Sequence, residues 1–378
     1  MSIDLFADLG KPDSELHPQF LSLRDAPGYA PARQLIRQLQ AEFSDPDGNF
    51  VEQFQTFGLD ARTFEFFLSV MLKDAGHELD RSFDRPDFLI TKDGLTAAVE
   101  AVTANPKANG AIQPYDAVPD LRTLQEAAED LEHTIPIRLG SPLFTKLKKK
   151  YWELPQVAGK PLILAIQDFH AAGALATSDV PLIRYLYGMG QTWWHDEDGN
   201  LVIKGHNVEE HRDGDKRIPS GFFRQPDAEH ISAVFFCNTG TLPKFNRMGH
   251  QGAYMARGVR MLRWGACYRH DPNAAAPRPF VYEVGDKEGP IETWRQGTVL
   301  IRNPDALHPL PDNWFGAAIE HKLVDGEVRS TPSEPFLPFY SATNILMNAS
   351  RGAVRKMAQG IYDSLTSVLP PGAFAGRP

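Results

Sequence analysis

Residues 85–104, RPDFLITKDGLTAAVEAVTA, constrain this chain more than any other stretch. Two apolar runs flank Asp93-Gly94. An Asp-Gly pair in that setting is a strong two-residue hairpin signal, because the favoured turn needs positive φ at both central positions. The predicted strands cover roughly 85–91 and 95–104. A two-residue turn sets Lys92 opposite Leu95, and on that register Asp87 lies directly opposite Glu100. Directly opposed side chains hold their Cβ atoms about 4.5–5.5 Å apart. Two carboxylates at that spacing repel each other, and a divalent cation reverses the sign of the interaction. Mg2+ and Mn2+ favour hard oxygen ligands, commonly one or two carboxylates completed by waters and phosphate oxygens. A turn one residue longer would place Asp87 and Glu100 on opposite faces, and a plain strand-end polar role for Asp87 is the alternative.

The same stretch is preceded by a helical pattern over 61–76. Phe64, Phe67, Leu68, Met71, Leu72 and Ala75 repeat with helical spacing, and Gly76 suits the position just past the helix end. Glu65 falls on the edge of that apolar stripe, so it is either a third carboxylate aimed at the metal or a solvated edge charge. Downstream, Ser141 can cap a helix with Pro142 at its first position, running to about Leu154. Pro161–Ile166 (PLILAI) then has the composition of a buried strand.

Helix, strand, strand, helix, strand with these residues resembles the PD-(D/E)XK nuclease superfamily, the restriction-endonuclease-like fold. That family's core runs helix, three-stranded meander, helix, strand. It carries a Glu on the first helix, Pro-Asp opening the second strand and (D/E)-x-K on the third. Here the matching residues are Glu65, Pro86-Asp87 and Glu100. The resemblance is close over about 40 residues and looser over residues 60–170. It implies an α/β (α+β) protein with an αβββαβ core, a large insertion and a β-rich C-terminal elaboration. It also implies a nuclease that hydrolyses phosphodiester bonds, with Asp87, Glu100 and Glu65 binding Mg2+ (or Mn2+) and nucleic acid, DNA ahead of RNA, as the partner.

One departure stands out: the family's lysine would fall two residues after Glu100, where this chain has Val102. Some members are similar in taking the basic residue from the following helix. TKLKKKYWEL offers Lys146, Lys148, Lys149 and Lys150, of which Lys146 and Lys150 share a helical face and are the catalytic candidates. Arg85, opposite Val102, is a second source of positive charge, although an arginine stays protonated and makes a poor base. The alternatives are a solvated basic helix face and a catalytically silent nuclease-like protein that binds nucleic acid or another protein.

A nucleic-acid groove needs cations, and the chain's formal net charge is −9. Between 244 and 270 there is nonetheless no Asp or Glu, while Lys244, Arg247, Arg257, Arg260 and Arg263 alternate with Phe245, Tyr254, Trp264 and Tyr268. This segment is the candidate nucleic-acid surface. The competing reading is an Arg-studded helix paired with the acidic loops at 196–198 or 209–215. The segment Asn238–Gly249 either binds phosphate or turns the chain.

Three regions follow: 1–55, a loose arm to residue 30 and then helices; 56–240, the core, with an insertion at 171–230; and 241–378, the basic segment, short β-like runs over 278–330 and a helix at 343–366. The insertion should hold a hairpin at 197–200 and a charged loop at 209–217. Two cysteines exclude a disulfide scaffold and a zinc ribbon. The first residues lack the basic and apolar regions of a signal peptide, and no apolar run nears 18 residues, so the expectation is a cytoplasmic protein without a membrane partner. A homodimer remains open. The histidines show no HExxH spacing. His206 and His211 are expected in solvent, and His170 stands beside Asp168. A third reading places a small-molecule or interaction site in 278–330.

Overall fold

In the computed structural model, which describes residues 3–46, 48–106, 123–171, 173–271, 273–274 and 276–367, Asp93 and Gly94 take φ of 51° and 77°. Both are the positive values of a type I′ hairpin turn. The turn joins β2 (Phe88–Lys92) to β3 (Leu95–Ala104), with Phe88 opposite Val99 and Lys92 opposite Leu95, the register expected from the sequence. A short β1 (Glu78–Asp80) adds to β2 and completes an antiparallel meander.

Among the described residues, the α-helices α1 (Pro18–Asp25), α2 (Ala30–Leu39), α3 (Phe50–Gln55) and α4 (Leu59–Asp74) precede the meander. The first thirty residues are therefore not a loose arm. Leu5, Phe20 and Leu23 are buried and belong to the same apolar cluster as the α4 stripe. After β3 come α5 (Leu124–Glu129) and α6 (Ile135–Leu147), and β4 (Leu162–Asp168) returns parallel to β3 with Glu100 opposite Leu164. The helix expected to start at Ser141 starts earlier. Ser141 sits in its interior, its hydroxyl donating to the Ile137 carbonyl, and Pro142 lies within α6. Pro142 has no N–H for the Arg138 carbonyl four residues back, and the Ser141 hydroxyl bonds the carbonyl one residue earlier.

The remaining strands are β5 (Met189–His195), β6 (Leu201–Asn207), β7 (Glu210–Asp213), β8 (Lys216–Pro219), β9 (Ala233–Cys237), β10 (Val259–Cys267), β11 (Arg278–Glu283), β12 (Thr298–Arg302), β13 (Ile319–Val324), β14 (Glu327–Pro332) and β15 (Pro338–Met347). The last helices are α7 (Val180–Tyr187), α8 (Leu242–Gln251) and α9 (Arg351–Ser367). An eight-stranded mixed sheet runs in the order β1-β2-β3-β4-β9-β12-β13-β14, and β11-β10-β15 forms a smaller sheet. The chain is thus a mixed α/β protein built on one large sheet that draws strands from both sides of residue 240.

Two apolar layers cover that sheet. Alternation along β3 sends Ala97 and Val99 into the cluster containing α4, and Ala98 and Ala104 into the cluster containing α6 and α7. Between the parallel neighbours β4 and β9 lies the insertion, with α7 and two hairpins, β5-β6 and β7-β8. The hairpin expected at 197–200 is the β5-β6 turn. The charged 209–217 loop is instead the β7-β8 hairpin. The Asn238–Gly249 segment turns and then enters α8, and the C-terminal helix begins only at Arg351 because residues 338–347 pair with β10.

Candidate active site

The residue before β2 is Asp87, one step beyond the Phe88-Val99 pair, which sets it level with Glu100. It does not continue the ladder as a backbone partner. Its Oδ2 accepts the Ala101 N–H at 2.7 Å, fixing the carboxylate across the top of β3. Glu100 lies inside β3, almost wholly buried, on the face covered by α6. The Lys146 Nζ from α6 bonds Glu100 Oε1, and the Tyr151 hydroxyl donates to the same oxygen at 2.7 Å. Of the four candidate lysines, Lys146 is the one that reaches the carboxylates.

Lys150 goes elsewhere. The helix ends at Leu147, Lys150 takes φ of 50°, and its ammonium lies 3.4 Å from Asp227 and 3.8 Å from Glu153. The shared helical face with Lys146 is lost because the chain has left the helix. Arg85 is mostly exposed and pairs with its neighbour Asp84 at 3.3 Å.

Glu65 also departs from the expected role. It projects from α4, on the opposite face of the sheet from α6, and is clasped by Arg62 at 2.6 Å and Arg81 at 2.5 Å. The Arg81 guanidinium in turn lies 4.0 Å from the ring centre of Phe43 and 4.8 Å from that of Phe88. Both Glu65 oxygens are occupied by guanidinium donors, so Glu65 acts on the site through its charge and as an anchor for the arginines. Among the described residues, no group of three or more His, Cys, Asp or Glu is placed to hold a metal ion.

Asp87 and Glu100 are carboxylates that repel each other. Burial, then the charge of Glu100, then that of Glu65 push the Asp87 carboxyl well above its usual range, against the Ala101 N–H and Lys146. Among the described residues no hydrogen bond reaches Asp87 Oδ1 or Glu100 Oε2. Two hard oxygen acceptors on one face of the hairpin fit an ion that binds two carboxylates and keeps its remaining ligands as water.

Tyr151 was not foreseen, and nothing in KKKYW marks it out. It reaches Glu100 because the left-handed Lys150 folds the chain back under the sheet. Burial and then the Glu100 charge raise the phenol's pKa, so it acts as a hydrogen-bond donor and not as a base. Tyr151→Phe removes one of two donors from Glu100 Oε1. The expected cost is about 1 kcal/mol of stability. Urea denaturation of the variant checks it.

The basic segment does not form a surface. Lys244, Arg247 and Arg263 are buried around Glu292, at 3.0, 2.7 and 3.4 Å. Arg260 pairs with Glu283 at 2.7 Å, and of the five candidates Arg257 alone is exposed. The segment reads as free of acid because its counter-charge comes from residues 283 and 292, beyond its end. His211 is likewise buried, bonded to the Glu132 carbonyl and the Ser220 hydroxyl, and burial pulls its pKa down to about 4. His170 bonds Asp168 at 2.7 Å. Asp168 lies four residues beyond Leu164 on β4, roughly 13 Å along the strand from the level of Glu100.

No helix among the described residues is long and apolar enough to cross a membrane. Comparison with known proteins finds no matching family model, no matching curated protein and no matching solved structure.

Proposed function

We propose that this protein is a metal-dependent nuclease of the PD-(D/E)XK type whose lysine is supplied by the helix after the third strand. The observation that carries the reading is the convergence of Asp87, Glu100 and Lys146 from three separate elements, with the lysine on the carboxylate it would serve. The order helix, meander, helix, parallel strand supports it. Asp87 and Glu100 would hold the ion, which would supply a more acidic water and neutralise charge on the scissile phosphate. Lys146 would hold the attacking water and stabilise phosphate charge. Tyr151 fixes the Glu100 rotamer, the Ala101 N–H fixes Asp87, and Glu65 with its two arginines braces the α4 side.

The Asp87 pKa gives this reading a pH signature. The folded protein holds the Asp87 proton more tightly than the unfolded chain, whose pKa is near the ordinary 3.8. As pH rises from there through the folded pKa, the metal-free protein therefore loses stability, and Asp87→Asn should flatten that slope. Metal must displace the same proton, so affinity should weaken about tenfold for each pH unit below the folded pKa. Cleavage of double-stranded DNA should need Mg2+ or Mn2+, stop with EDTA, and be absent in Asp87→Asn. A wild-type protein that binds metal with no pH dependence and cleaves neither DNA nor RNA would remove the reading. A scaffold that only binds nucleic acid would instead retain binding after EDTA.

A further inference from the structure

Far along the large sheet from Asp87, a second set of reactive groups lines up. His321 on β13 pairs across the strands with Ser330 on β14. Its Nδ1 lies 2.8 Å from Ser330 Oγ and its Nε2 lies 2.6 Å from Asp179 Oδ2. The second oxygen of Asp179 accepts the Tyr268 hydroxyl at 2.7 Å. Asp179 and His321 are buried, while Ser330 is exposed.

The partners fix the protons. Burial works to raise the Asp179 carboxyl, but the hydrogen bond and charge of His321, then the Tyr268 hydroxyl, outweigh it and hold the group below its ordinary value. An ionised carboxylate only accepts, so His321 Nε2 carries a proton. In the neutral form of the ring Nδ1 is then a lone pair, and the Ser330 hydroxyl donates to it. A serine donating to a histidine that a buried carboxylate orients is the arrangement that makes a hydroxyl nucleophilic.

The strand register adds an oxyanion donor. The β13-β14 turn at Asp325-Gly326 has positive φ at both residues, and Ser333 N–H bonds the Ala318 carbonyl. Hydrogen-bonded and open pairs alternate in an antiparallel ladder. Counting from either end makes His321-Ser330 an open pair, where side chains approach most closely. The Ser330 N–H then points away from β13. Among the described residues β14 is the last strand of the sheet, and that N–H faces its edge. Pro332, two residues on, has no N–H to offer at the equivalent position, as suits an edge.

We propose that Ser330 is a nucleophile of an esterase-type site, activated by His321 and Asp179, that accepts a small acyl group from an ester presented at this edge. Ser330 Oγ bonds the acyl carbon and its proton passes to His321 Nδ1. The ester C–O bond breaks, and that proton goes to the departing alkoxide. Water then repeats the exchange, releasing the carboxylic acid and restoring Ser330. A single backbone donor on an open edge suits esters with good leaving groups, and not amides.

A fluorophosphonate probe with peptide mapping by mass spectrometry tests this on the full chain. The expected result is labelling at Ser330 in the native protein, none at that residue in urea, and none in Ser330→Ala. Asp179→Asn should slow labelling and 4-nitrophenyl acetate hydrolysis about a hundredfold. Should Asp179→Asn fold poorly, the native-against-urea comparison still decides, since it needs no variant. No label on Ser330, or equal labelling of native and unfolded chains, would overturn the proposal.

Discussion

Replacing Lys146 by methionine is expected to lower Mg2+-dependent cleavage by about two to three orders of magnitude while leaving the ion bound. The side chain of Lys146 is mostly enclosed and its ammonium rests on Glu100 Oε1. Methionine keeps an apolar stem of similar length and removes the charged donor. Glu100 is then released from a competing cation, so metal affinity should hold or rise even as turnover collapses. Loss of rate without loss of metal separates a catalytic lysine from a merely structural one. Lys150→Met is the control: its partners are Asp227 and Glu153 on the exposed side, and an exposed ion pair contributes well under about 1 kcal/mol. Turnover there should stay near that of the wild type. Single-turnover cleavage with parallel metal titration measures both variants, and unchanged cleavage in Lys146→Met would remove the lysine from the mechanism.

The largest effect on stability should come from Glu292→Gln. Glu292 is buried beneath Lys244, Arg247 and Arg263. Burial alone would raise its carboxyl, yet the charges of Arg247, Arg263 and Lys244 outweigh that and hold it far below the usual range. Glutamine preserves the shape and leaves the cations buried without a counter-charge. Removing one partner of a buried ion pair costs about 3–5 kcal/mol. Some relief should come from Lys244, whose pKa burial already lowers to about 8. Pairing Glu292→Gln with Lys244→Met should therefore recover part of the loss, a non-additivity expected of groups in contact. Urea midpoints of the two single variants and the double variant measure it. A Glu292→Gln loss under about 1 kcal/mol would show that the cluster is far less buried than described.

The hairpin and its register were legible because Asp-Gly permits few turns and a period of two leaves no freedom once the turn is set. Asp87 and Glu100 came together for that local reason. The α4 stripe was legible from its spacing alone. Lys146 could be narrowed to four lysines, since which one reaches Glu100 depends on where α6 ends, and a polar KKK run does not mark that end. Glu65 was misjudged because its partners, Arg62 and Arg81, select its rotamer through packing against Phe43 and Phe88. The basic segment misled most, for a physical reason: charge neutralisation is a tertiary event. Lys244, Arg247 and Arg263 meet their carboxylate only after α8, β10 and the residues around 292 have packed together.

The most direct test of the site is calorimetric titration of Mn2+ into the wild type and into an Asp87→Ala, Glu100→Ala double variant. The account predicts binding to the wild type that weakens as the pH falls, and none to the double variant. Equal binding by both proteins, or none by either, would contradict it.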